Sequence, residues 1–107
     1  MTSWDFVKSR DAAEALCREG RLMKTRLVPG ELGGDESPEN VVYIPPAARI
    51  AKDRTTAELI ELFRNGLADQ MSVIPEYRGD SFVPSHLLVS AWRSERAPAY
   101  EKPIAIW

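Results

Sequence analysis

The segment from Thr55 to Gly66 constrains this chain more than any other. Thr55 and Glu58 stand in the T-x-x-E relation of a capping box, where each side chain satisfies an amide of the first helical turn. Ala57, Ile60, Phe63 and Leu67 recur three or four residues apart, the period of one helix face. Asn65-Gly66 follows and supplies a residue that turns left-handed and stops a helix. The spacing predicts a helix over 55–66, and every other element is placed from it.

Ser9 is a cap for an earlier helix through Asp11, Ala12, Ala13, Leu16 and Cys17, with Gly20 as its stop. Trp4, Phe6 and Val7 precede it, either as an added turn or as an arm packed on the core. From Arg21 to Val28 the pattern is a strand: Met23, Thr25 and Leu27 alternate with Lys24 and Arg26, so one face is buried and the other wet. Two glycines, a proline and four acids then fill 31–40, a loop or wide hairpin connection. Val41 to Ile44 is a short strand cut off by Pro45-Pro46, and 47–51 is a brief helical turn. Met71 to Tyr77 is a strand in which Pro75 marks an edge, a bulge or a break. His86 to Trp92 is apolar on both sides, as a central strand covered on both faces would be. A polar loop over 93–102 leads to a last strand, 103–107. The segment 41–74 has the order of a β-α-β crossover with one parallel pair. The expected fold is α+β: a mixed, mainly antiparallel sheet of about five strands with two helices on one face.

At 107 residues the chain fits one domain, 1–107, with a single core. Its apolar runs are far shorter than the about 20 residues of a bilayer helix. The start lacks the basic and apolar regions of a secretory signal, so the expected location is cytoplasmic. Cys17 is the sole cysteine and His86 the sole histidine, which excludes an internal disulfide and leaves no nitrogen–sulfur zinc set. The acidic loop lacks the residue order of a calcium loop. No cofactor or metal is expected. Arginine outnumbers lysine ten to four, a bias common in bacterial chains of high genomic GC. The net charge of −2 argues against nucleic acid. Charge is segregated: residues 29–40 hold Glu31, Asp35, Glu36 and Glu39 against no base, while 1–28 carry six bases and four acids. A like-charge loop of this kind is ordinarily a solvated connection.

No phosphate-binding glycine pattern is present, and Arg78-Gly79-Asp80 is a tripeptide expected in a turn by chance. Two sets of side chains remain. Tyr77, Arg78, Trp92 and Trp107 gather aromatic and cationic character around the late strands, as surfaces that meet partners do. If the last strand lies at a sheet edge, its backbone offers a pairing site for a second copy. Glu76, Asp80 and His86 bring a base, a second carboxylate and an imidazole within a few positions. They would need to converge in space around a cleft to act as acid and base. The expected function is a non-enzymatic accessory or regulatory module acting on a protein partner or by self-association as a homodimer. The alternative is a small acid–base enzyme or ligand-binding protein with a cleft near 76–86.

Overall fold

The computed structural model describes residues 3–94 and 100–107. Its elements run α1 (Arg10–Arg18), β1 (Met23–Arg26), β2 (Val41–Ile44), α2 (Arg49–Arg64), β3 (Gln70–Tyr77), β4 (Pro84–Trp92) and β5 (Tyr100–Ala105). The protein is α+β with two helices and five strands in the expected order. None of the described helices is long and apolar enough to cross a membrane.

Local signals that need no distant partner hold. The Ser9 side chain accepts from the Ala12 amide at 3.1 Å and caps α1. Gly20 and Gly66 take positive φ just past the two helices, +75° and +71°, a conformation that side-chain-bearing residues adopt at a cost. The start of α2 differs. Pro45-Pro46 open a single 3-10 turn over Pro46–Ala48 that runs straight into the helix at Arg49. Proline's fixed φ suits a first turn, so the helix needs no Thr55 cap. Thr55 therefore lies in mid-helix. It is buried, and its hydroxyl has no hydrogen-bond partner among the described residues. The buried stripe is Ala48, Lys52, Thr55 and Leu59, whereas Ala57 and Leu67 face solvent and Ile60 and Phe63 are half-buried. Glu58 reaches instead to the Tyr100 hydroxyl (3.1 Å) and the Lys102 ammonium (3.2 Å), tying α2 to β5.

The strands form two antiparallel sheets rather than one mixed sheet. β1 pairs with β2, and β3, β4 and β5 form a second sheet in that order. β2 and β3 thus flank α2 without pairing, and the expected parallel crossover is absent from the described strands. α1 serves the two-stranded ribbon through Glu14, which bonds Tyr43 of β2 and Lys24 of β1. α2 serves the three-stranded sheet through Glu58. In that sheet Leu87, Val89 and Ala91 of β4 are buried, with Ile104 beside Leu87. The alternate residues Leu88, Ser90 and Trp92 are only half-buried, so β4 is central but covered less on its second face. Strand β5 begins at Tyr100, three residues before Pro103. An edge strand tolerates the missing proline amide, and Pro103 and Pro75 both lie on edge strands. The last strand was expected to start only at Pro103, after a loop over 93–102; residues 95–99 of that loop lie outside the described residues.

The amino-terminal segment is an arm, not an added turn. Trp4 and Val7 are buried; the Ser81 hydroxyl donates to the Trp4 carbonyl at 2.7 Å, and the Phe82 amide donates to the Val7 carbonyl at 2.7 Å.

Candidate functional site

In the β1–β2 ribbon, Lys24 stands opposite Tyr43 and Arg26 opposite Val41. Registered pairs share a face, so these four side chains point to one side. The amino-terminal turn of α1 adds Arg10, and the 29–40 connection adds Glu36 and Pro38. Together they bound a cleft of about 330 Å³.

The polar groups of the cleft are joined to one another. Tyr43, 1% exposed as a residue, donates its hydroxyl proton to the Glu14 carboxylate at 2.7 Å and accepts from the Arg10 guanidinium at 3.2 Å. Lys24 meets the same Glu14 carboxylate at 2.8 Å. Arg26 meets Glu36 at 3.0 Å. The Arg10 guanidinium also lies 5.3 Å from the Phe82 ring centre and 5.9 Å from that of Tyr43, within reach of both quadrupoles.

The titration of these groups follows from the bonds. The hydrogen bond from Lys24, and next the one from Tyr43, hold the Glu14 carboxyl below its ordinary value. The same bond holds Lys24 above its own. Burial first, and then the bond to Glu14, pushes the Tyr43 hydroxyl up, so it stays protonated as a donor. Burial also raises Tyr77, and the charge of Arg10 opposes that rise, which places Tyr77 within electrostatic reach of the same guanidinium.

The acidic connection is built, not merely solvated. Asn40 accepts from the Val28 amide at 2.8 Å and donates to the Val28 and Asp35 carbonyls at 3.1 and 2.7 Å, clasping the two ends together. A Cβ on Gly34 would lie 1.8 Å from the Val28 carbonyl oxygen, so only glycine fits there. The clasp sets the loop beside Arg26, whose guanidinium donates to the Gly34 carbonyl at 3.4 Å.

The residues singled out from sequence are distributed differently. Glu76 and His86 are register partners on β3 and β4 and therefore share one face of the sheet. His86 Nδ1 lies 3.1 Å from the Ser85 hydroxyl, which donates to the Glu76 backbone carbonyl at 3.2 Å. Asp80 is drawn away to an exposed ion pair with Lys8, whose hydrogen bond holds its carboxyl below the ordinary value. Arg78 and Trp107 do meet, the guanidinium 4.8 Å from the ring centre, while Trp107 Nε1 donates to the Val83 carbonyl at 3.0 Å. Trp92 ends β4 opposite Gln70, whereas Trp107 sits beside Ser85 near the start of that strand. At about 3.3 Å per residue the two tryptophans stand about 23 Å apart along β4 and form no common patch.

Sequence reasoning passed over Arg10, Lys24, Arg26 and Tyr43. The usable signal was the basic wet face of β1 paired with an aromatic strand; the missing piece was which helix end would cover it. Among the described residues no three His, Cys, Asp or Glu side chains are grouped to hold a metal ion. Comparison of the chain with protein-family models, curated proteins and solved structures finds no match, so its own geometry carries the interpretation.

Proposed function

We propose that the protein is a non-enzymatic accessory or regulatory module that binds a partner protein through the cleft of Arg10, Lys24, Arg26 and Tyr43, taking a negatively charged group of the partner. The observation that carries this reading is the convergence of three cationic side chains and one buried tyrosine hydroxyl on a cleft of about 330 Å³. A cavity of that size accepts one or two side chains of a partner. A nucleic-acid footprint neutralises many phosphates, and three bases, two of them already paired with Glu14 and Glu36, are too few for that.

Titration with a hexaglutamate peptide tests the reading. Binding that weakens with salt and is lost in an Arg10→Ala/Arg26→Ala double variant supports it. Equal affinity of a hexalysine peptide, or full binding by the double variant, removes it.

A second reading is favoured by one observation, the direct pairing of Glu76 and His86 across β3 and β4. Here the two would exchange a proton with a small ligand, with Asp80 outside the set because Lys8 holds it. A His86→Gln change that leaves ligand-induced shifts in melting temperature intact across a metabolite panel would remove this alternative.

A further inference from the structure

We infer that Glu36 is an internal stand-in for the partner's acidic group: the cleft takes an aspartate- or glutamate-rich segment, and the Glu36 carboxylate leaves Arg26 when that segment binds. The inference rests on the cleft reading above and adds the ligand's chemical class and a self-competition step.

Two carboxylates already occupy the cleft's cations, and they are held in unlike ways. Glu14 is fixed from two sides, by Lys24 at 2.8 Å and by the Tyr43 hydroxyl at 2.7 Å. Glu36 touches Arg26 alone at 3.0 Å, and its side chain is 82% exposed. An exposed pair of this kind contributes little and exchanges readily. Yet its position is not accidental. Asn40 clasps the loop ends, and the Gly34 backbone packs so closely on Val28 that no side chain fits. The loop thus fixes the backbone that carries Glu36 beside Arg26, while the side chain stays free to rotate away.

Release of Glu36 changes the charge of the cleft. With both carboxylates in place the three bases leave a balance of +1; without Glu36 it is +2. Arg26 then keeps only its bond to the Gly34 carbonyl, and Arg10 has no ion-pair partner among the described residues, its contacts being the Tyr43 hydroxyl and the Phe82 and Tyr43 rings. Two guanidiniums brought to one cleft from different elements, α1 and β1, match a pair of carboxylates on one extended segment. A planar carboxylate is also the group that already fits Arg26 here.

The experiment is calorimetric titration of the full chain with hexaglutamate, comparing the native protein with Glu36→Gln and Arg10→Ala. Glu36 is exposed, so its amide variant keeps the fold, which a thermal melt verifies. Glu36→Gln is expected to bind about threefold more tightly, the effect of removing one exposed competing ion pair. Arg10→Ala is expected to bind more weakly than the native chain. Unchanged or weaker binding by Glu36→Gln, with the Arg10 effect intact, overturns the stand-in and leaves the module reading standing. Absence of binding by both native protein and Glu36→Gln overturns both. Displacement of the peptide by equimolar inorganic phosphate overturns the carboxylate assignment.

Discussion

Between Glu76 and His86 the chain carries two carboxylates, a guanidinium, several hydroxyls and its imidazole within eleven residues, whereas Arg10, Glu14, Lys24, Arg26 and Tyr43 are spread over thirty-four. The compact stretch is dispersed by folding and the scattered one is gathered. In the 76–86 region the charged and buried groups go to separate neighbours outside it, Asp80 to Lys8 and Ser81 to the Trp4 carbonyl, and only Ser85 links two members, His86 and the Glu76 backbone carbonyl. In the cleft the groups share partners, since Glu14 serves Lys24 and Tyr43, and Tyr43 serves Glu14 and Arg10. Strand geometry explains the contrast. A turn fans its side chains outward, while an antiparallel ribbon lines up alternate residues of two strands on one face. Nearness in sequence is therefore a poor guide to shared chemistry.

The sharpest way to break this comparison is to truncate one anchor in each region. Tyr43 is fully buried, so Tyr43→Ala removes a large ring from the core and is expected to lower stability by about 4 kcal/mol. His86 is half-buried, and His86→Ala is expected to change stability by no more than about 0.5 kcal/mol. Urea unfolding of the two variants gives the numbers. Similar losses would mean that the 76–86 region is as interdependent as the cleft.

Ser81 tests what its region does instead of chemistry. Its buried hydroxyl donates to the Trp4 carbonyl and accepts from the Val83 amide at 3.2 Å. Ser81→Ala leaves both groups without that partner and is expected to cost about 2 kcal/mol. The amino-terminal arm is also expected to loosen, read as faster hydrogen exchange at Phe82, whose amide is bonded to Val7. A neutral Ser81→Ala would return this serine to the pool of candidate functional groups.

How much of this was legible depended on how local the cause was. Ser9, Gly20 and Gly66 act within one turn and were read correctly, as was the alternation that sets Lys24 and Arg26 on one side of β1. The Thr55–Glu58 pair misled because residues three apart lie on one helix face whether or not a helix starts there. What decided the start was Pro45-Pro46, and what claimed Glu58 was β5, more than forty residues away. The division into two sheets is likewise non-local: β2 and β3 are neighbours in sequence and belong to different sheets. The cleft was hidden for the same reason, since the charge pattern of β1 says nothing of Arg10 arriving from α1.

A smaller effect sharpens the comparison by pH. Glu14 is held below its ordinary value near 4.5, so its contribution is complete above that pH and is lost as pH falls through the folded value. Lys24 is held above 10.5, so its contribution is complete below that pH and is lost as pH rises through the folded value. Asp80 adds an acid limb through Lys8. Glu14→Gln is therefore expected to flatten the stability profile at both extremes, and Asp80→Asn at the acid end alone. Identical profiles for the two variants would erase the distinction between a shared network and an isolated pair.

The least effect is expected at Arg78, and it decides whether the two regions are separate surfaces at all. Its guanidinium lies 4.8 Å from the Trp107 ring centre at an exposed site, where such a contact is worth about 0.5 kcal/mol. Trp107 is also held by its indole bond to the Val83 carbonyl, so Arg78→Ala leaves the ring in place and is expected to alter mainly its emission. Tyr77 complicates the separation, because it precedes Arg78 in the chain yet lies within electrostatic reach of Arg10. If the cleft binds alone, Arg78→Ala leaves hexaglutamate affinity unchanged while Arg10→Ala lowers it. If both lower it equally, the binding surface runs from the ribbon across Tyr77 to Trp107, and the contrast between gathered and dispersed residues gives way to one continuous cationic and aromatic face.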